Sequence, residues 1–270
     1  MLASPRARFY LTGRVVVEGR RLVDQAVLPG RQGRLALVYL LAHRHRPVPV
    51  GELAAALWGG ELPRSWEPSL RVIVSKLRAV LDEVGASGLR REAGCYQAEL
   101  GHVWVDLEAA ANAVDRAEGA RRGGDTAAAW SEATVAAAIT GRPLLEGEDR
   151  PWIDELRAQL DHLAVRAHDV LSEVNLARGD HRLAAHAARR LISLAPFRES
   201  GYRHLMRAEA AAGDDAEALR TYGTLRRLLA EELGTSPSPE TQELFAELLA
   251  AGAAGPALQP RPVGDPATTT

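Results

Sequence analysis

Three Gly-Asp pairs, Gly124-Asp125, Gly179-Asp180 and Gly213-Asp214, interrupt a stretch that is helical in pattern from Asp106 almost to the end of the chain. Each pair separates two segments whose apolar residues recur every three or four positions, the spacing of one face of an α-helix. The last two pairs lie 34 residues apart, which is the tetratricopeptide period. Ala177-Arg178-Gly179-Asp180 aligns with Ala211-Ala212-Gly213-Asp214, and an Ala-rich helix follows each. The first two pairs are 55 residues apart because a longer helix, roughly Trp152 to Arg178, intervenes, so the array is irregular. Helix pairs that cannot bury their apolar faces alone stack on their neighbours and leave a concave surface for a partner. Helices that merely pack on a preceding domain would give the same pattern. Asp106 is placed to cap the first helix, and Ser238 with Pro239 opens a last one to about Ala250. The tail from Gly252, rich in Pro and Thr, is expected to be disordered.

The first hundred residues follow another rhythm. Phe9-Tyr10-Leu11, Val15-Val16-Val17 and Val27-Leu28 suit short strands. From Arg31 the period becomes helical, with Leu35, Val38, Tyr39 and Leu41 on a broad apolar face that runs to His43 before Pro47 and Pro49. A second helix spans Val50 to Trp58 and stops at Gly59-Gly60. A third runs from near Pro68 to Val84. At 100° per residue, Leu70, Ile73, Val74, Leu77, Val80 and Leu81 fall in one arc, which is core. The opposite arc holds Arg71, Val72, Ser75, Lys76 and Ala79, with Arg78 at its edge. Leu89-Arg90-Arg91, a turn at Gly94 and Cys95 to Leu100 read as a β-hairpin. Strands, three helices and a hairpin describe a winged helix-turn-helix. The expected fold is therefore mainly α with a small β component, divided into a winged helix over 1–102, an all-α tetratricopeptide-like array over 103–252 and a tail over 253–270.

Charge separates the same two regions. Residues 1–100 carry 15 Lys and Arg against 9 Asp and Glu, whereas the remainder carries 18 against 26, so a net charge of −2 hides a basic part joined to an acidic one. That asymmetry suits a polyanion for the first part and a different partner for the second. Cys95 is the only cysteine, so neither an internal disulfide nor a cysteine-rich zinc site can form. No segment has the apolar length of a membrane span, and the N-terminus lacks a secretory pattern, which points to the cytoplasm. A catalytic constellation is absent from the sequence: there is no phosphate-binding Gly-rich loop with Lys-Ser/Thr and no paired His-Glu metal motif, so no enzyme, metal or cofactor is expected. His43 and His45 flank Arg44 beside Arg46 at a helix end, where a solvated terminus is the expected reading.

In a winged helix the third helix enters the major groove, where Arg donates two hydrogen bonds to guanine and small residues meet the thymine methyl. Arg71, Val72, Ser75, Lys76, Arg78 and Ala79 are the candidate reading residues. Arg90 and Arg91 would serve the wing at phosphate or minor groove, positioning without reading sequence. The same residues would also suit an ordinary solvated face, in a chain that acts as a protein adaptor without DNA.

Several motifs resemble one family. They are Gly30-Arg31-Gln32-Gly33-Arg34-Leu35-Ala36-Leu37, Ala56-Leu57-Trp58-Gly59, Leu70 through Arg78, Gly94-Cys95-Tyr96, and Ala218-Leu219-Arg220-Thr221-Tyr222 leading to Glu232-Leu233-Gly234, Pro237, Pro239 and Glu240. Together they are similar to the Streptomyces antibiotic regulatory proteins, which join an OmpR-type winged helix to a bacterial transcriptional activation domain. The resemblance spans about residues 8–250. It implies a local activator of a secondary-metabolite gene cluster that binds direct repeats in double-stranded promoter DNA as a homodimer and touches RNA polymerase holoenzyme through its sigma factor or alpha subunit. Glu61, Arg64 and Trp66, in a long loop expected to expose Trp66, are the candidate polymerase contact. Val72 and Ile73 stand where the family tends to have Thr and Tyr, Lys76 and Ala79 where it tends to have Arg, and Gln97 where a basic residue is common.

Overall fold

The computed structural model describes residues 7–253, so the Pro-rich tail lies outside the described residues from 254 onward. Packing divides the chain after Val174 into two units.

The first unit opens with β1 (Arg8–Tyr10), β2 (Val16–Glu18) and β3 (Leu22–Asp24). With β7 (Trp104–Val105) they form a sheet in the order β3-β2-β1-β7, in which only the β1–β7 pairing is parallel. The third strand is thus Leu22–Asp24 and not Val27-Leu28. Asp24 accepts the Ala26 amide on its side chain at 2.8 Å and the Val27 amide on its carbonyl at 3.1 Å, which turns the chain away from the sheet. Strand β7, at the far end of the winged-helix sequence, escaped the pattern because two residues carry no readable period.

Helices α1 (Gly30–Ala42), α2 (Val50–Trp58) and α3 (Trp66–Val84) follow. Every residue from Leu35 to Leu41 is buried, which makes α1 the central helix, apolar on all sides. Helix α3 begins two residues before Pro68. Proline is tolerated there because the first amides of a helix have no internal acceptor to lose. Strands β4 (Val48–Pro49), β5 (Leu89–Glu92) and β6 (Cys95–Ala98) make a second sheet in the order β4-β6-β5.

Helices α4 (Asp106–Arg122), α5 (Thr126–Thr140) and α6 (Pro151–Ala177) complete this unit, the divide falling in the last turn of α6. Ala113, Val114, Ala136 and Ala167 pack the three together. Asp106 is not the N-cap expected of it: it occupies the first turn of α4, with Val105 at the capping position. Its buried carboxylate accepts the amides of Leu11 and Thr12 and the Thr12 hydroxyl at 2.8 to 2.9 Å, fastening β1 to the start of α4. Burial pushes this carboxyl's pKa up, and those hydrogen bonds offset the rise only in part.

The second unit contains α7 (His181–Leu194), α8 (Glu199–Ala211), α9 (Asp215–Leu233) and α10 (Pro239–Ala253). Ala184, Ala185 and Ala188 of α7 meet Leu205 and Ala208 of α8, small residues that allow the helix axes to approach. Tyr202 packs with Leu225 and Leu229 of α9, and Tyr222 stacks on Phe245 of α10 at 4.0 Å. Glu199 accepts from the Ser238 amide and from the Ser238 and Thr241 hydroxyls, tying α8 to the first turn of α10.

All three Gly-Asp breaks share one geometry. Gly124, Gly179 and Gly213 have φ of +77°, +76° and +83°. The amide of each following Asp donates at 2.9 Å to the carbonyl five residues back, at Ala120, Asn175 and Glu209. These are Schellman ends, in which a left-handed residue recovers helix carbonyls that would otherwise have no donor. Asp125 and Asp214 also accept on their side chains from amides of the next helix, so these two breaks close one helix and cap another.

Candidate nucleic-acid interface

The candidate surface is built on α3. Leu70, Val74, Leu77, Val80, Leu81 and Val84 are buried along one side, and Ile73 packs against the same core. Gly85, left-handed at φ +83°, ends the helix. With that stripe fixed inward, Arg71, Val72, Ser75, Lys76 and Ala79 are exposed on the other side. Glu67 lies one turn before Arg71 and pairs with it at 3.2 Å. Lys76 has no hydrogen-bond or ion-pair partner among the described residues. Glu83, on the last turn, is taken up by Arg21 at 2.8 Å. The middle of the face therefore presents two cations, Arg71 and Lys76, separated by small or apolar side chains; Glu67 and Glu83 are ion-paired, and Asp82 near the end of the helix is exposed.

Arg78, at the edge of this face, is half-buried, and its Nε donates to the Leu89 carbonyl at 2.8 Å. It joins α3 to the first strand of the wing and is less available to a ligand than Arg71. In the wing itself, Arg90 and Arg91 are both exposed, but neighbours in a strand point to opposite faces. Arg91 lies opposite Tyr96, with its guanidinium 5.9 Å from the ring centre, whereas Arg90 is turned outward near Glu99 at 3.4 Å. The turn between the strands has Ala93 at φ +48° and Gly94 at φ +77°, the backbone of a two-residue hairpin loop. The Gly94 carbonyl accepts the Val50 amide at 3.0 Å, so the wing turn is anchored to the start of α2.

The loop before α3 departs from expectation. Glu61 and Arg64 are exposed, but Trp66 is half-buried and packs against the core as the first residue of α3. An indole loses too much apolar area in water to stay outside when a core edge is within reach. Leu62 is the exposed apolar side chain of this loop.

A brace that periodicity could not reveal holds the winged helix from around α1. The segment joining α5 to α6 folds back on the winged helix, where the Gly13 amide donates to the Pro143 carbonyl at 2.6 Å. Glu148, its side chain almost wholly buried, accepts from Arg31 and Arg34 at the start of α1. Arg157 of α6 holds this segment by donating to the carbonyls of Leu144, Leu145 and Glu148. Burial pushes the Glu148 carboxyl up, but the Arg31 and Arg34 guanidinium groups more than reverse this and hold its pKa below the usual value. Trp152 donates to the Ala56 carbonyl at 3.0 Å and meets Tyr39 edge-on at 5.1 Å. Tyr39 in turn donates to Glu52 at 2.6 Å, and its pKa is pushed up to about 12 by burial and by that carboxylate. At the other end of α1, Arg44 pairs with Glu108 through two nitrogens, and His45 contacts the same carboxylate at 3.0 Å. His43 points instead to the Tyr39 carbonyl and stacks on its ring. The partners of Arg31, Arg34 and Arg44 lie some sixty to over a hundred residues away, and only the excess of Arg over nearby acids around α1 hinted that distant carboxylates were needed.

Residues 105–249, more than half of the chain, match the bacterial transcriptional activator domain. The chain belongs to that family. Bacterial transcriptional activator domain proteins similar to it include the regulatory protein AfsR of Streptomyces griseus, 33% identical over 86% of this chain and 24% of AfsR. AfsR of Streptomyces coelicolor is 34% identical over 88% of this chain and 25% of its own length. The chain thus spans about a quarter of the length of these relatives. Its fold is that of Mycobacterium tuberculosis EmbR, whose structure in complex with a low-affinity phosphopeptide superposes with a TM-score of 0.77 at 22% identity, over 92% of this chain and 66% of that one. The resemblance to the Streptomyces antibiotic regulatory proteins therefore holds, as do the winged helix and helical repeats, and the relatives it matches are named as regulatory proteins. Among the described residues, no helix is long and apolar enough to cross a membrane.

Proposed function

We propose that this chain is a sequence-specific activator that reads double-stranded promoter DNA through α3. One observation carries the reading: a single buried stripe fixes α3 so that Arg71, Ser75 and Lys76 project together from its exposed side. Those groups match what a major groove offers, since Arg can bind a guanine through two hydrogen bonds and Lys a phosphate or base edge. In this reading residues 1–102 bind DNA and residues 103–252 bind protein. A single winged helix has a small footprint, so two copies bind direct repeats about one helical turn, roughly 10–10.5 bp, apart. The exposed loop residues Glu61 and Arg64, together with the helical array, recruit RNA polymerase holoenzyme through its sigma factor or alpha subunit. The regulated genes are those of a secondary-metabolite cluster, as the resemblance to the Streptomyces antibiotic regulatory proteins implies, and the protein acts in the cytoplasm without catalysis.

Chromatin occupancy in the native host, followed by gel shifts on the recovered sites, tests this. Binding should fall steeply with salt, as counterion release requires. A chain that occupies no promoter and shows no salt-dependent affinity for duplex DNA is a protein adaptor instead.

A further inference from the structure

Val72 is a large apolar side chain placed where water should reject it. It stands in the middle of the exposed side of α3, 54% exposed, between Arg71 and the Ser75–Lys76 pair. Beside it a shallow groove separates α3 from the loop leading into α1. Val27, itself 48% exposed, and Pro29 line one wall, and Val72, Lys76 and Ala79 the other. An apolar patch continuous with a cationic face calls for a partner that is anionic but carries an exposed apolar group. Duplex DNA meets both conditions. In its major groove the base edges offer donors and acceptors, and the thymine C5-methyl is the apolar group among them. Val72 has no hydrogen-bonding atom, so it cannot read any other feature of a base pair.

We propose that Val72 reads the C5-methyl of a thymine in each half-site, making it a specificity-determining residue beside Arg71. The assignment rests on the DNA-binding reading above. Ala79, small and exposed two turns further on, leaves room for the helix to come close enough for that contact. Arg71 and Lys76 draw the polyanion in, and Val72 then rewards a thymine over a cytosine or a uracil at the position it covers.

The test uses the full chain and a duplex selected from randomised DNA for tight binding. Each thymine is replaced in turn by deoxyuridine, which keeps base pairing and removes only the methyl. Burying one such group contributes about four-fold in affinity. The wild type should lose about that factor at one thymine per half-site. Val72→Ala should bind the thymine and uracil duplexes alike at that position, while Val72→Thr, which keeps one methyl, should still prefer thymine. Both variants alter an exposed residue, and circular dichroism confirms their folding. Tight, salt-dependent binding that ignores every thymine methyl overturns this assignment and leaves the DNA reading intact. No duplex binding at all overturns both. If Val72→Ala keeps its thymine preference but loses cooperative binding of a second copy, the patch is a protein contact and the proposal fails.

Discussion

At Glu148 burial and ion pairing pull in opposite directions, and pairing wins because two guanidinium groups converge on one carboxylate that water barely reaches. Its folded pKa lies below that of an unfolded glutamate, near 4.3. The stability this contributes is complete above that value and is lost as the pH falls through the folded pKa. Glu148→Gln should therefore destabilise the first unit by about 2 kcal/mol at neutral pH. Urea denaturation should show the gap between variant and wild type closing as the pH drops below about 4. A gap of equal size at both pH values would mean that shape, not charge, is what Glu148 supplies. Two non-glycine residues with positive φ illustrate the same weighing. Leu145 is left-handed at φ +46° but buried, so its strain is offset by burial. Ala93, at φ +48° in the wing turn, is exposed and gains nothing. Left-handed alanine costs about 1–2 kcal/mol and asparagine less, so Ala93→Asn should raise stability by about 1 kcal/mol, read as a higher midpoint in urea.

Helices with one buried face were the legible elements. The stripe from Leu70 to Leu81 predicted which side of α3 is exposed, and the Gly-Asp breaks predicted where α4, α6 and α8 end, because both are local properties with a period. What stayed hidden depends on partners distant in sequence. Trp66 turned inward because a core edge assembled from elsewhere was there to cover it. Asp106 left its capping role for Leu11 and Thr12, some 95 residues back. Arg78 stayed hidden for a nearer reason, since its acceptor, the Leu89 carbonyl, lies in β5 beyond the end of the helical period. If Arg78 positions the wing, Arg78→Ala should weaken binding to all duplex sequences alike, and Arg78→Lys should not restore it, because the guanidinium Nε bond to the Leu89 carbonyl has no lysine equivalent. Arg71→Ala, by contrast, should cost about 1–3 kcal/mol on the selected site and relax the preference at one base pair. Gel shifts on specific and scrambled duplexes separate the two. A loss confined to the specific site for Arg78→Ala would make it a base reader after all.

Across the whole molecule, the proposed division of labour near residue 102 and the division of packing after Val174 fall in different places. The core under the winged helix includes Val103, Val105, Leu144, Leu145, Ile153 and Leu160, all beyond residue 102, and Trp152 covers Tyr39 from the same side. Burial of each of the larger of these contributes roughly 1.5–3 kcal/mol. A typical domain is stable by only about 5–15 kcal/mol in total, so removing the set together exhausts it. A fragment ending at residue 102 should accordingly lack a cooperative unfolding transition and a near-ultraviolet dichroism signal. One ending at residue 178, which retains the whole of α6, should show both. Cooperative unfolding of the shorter fragment would mean that α4 to α6 only lean on a winged helix that stands alone. If the longer fragment is the folding unit, helices of the activator-domain match hold α1, and through it α3, in place. Glu148→Gln should then lower affinity for duplex DNA at neutral pH although Glu148 lies on α1's side of the core and not among the exposed residues of α3.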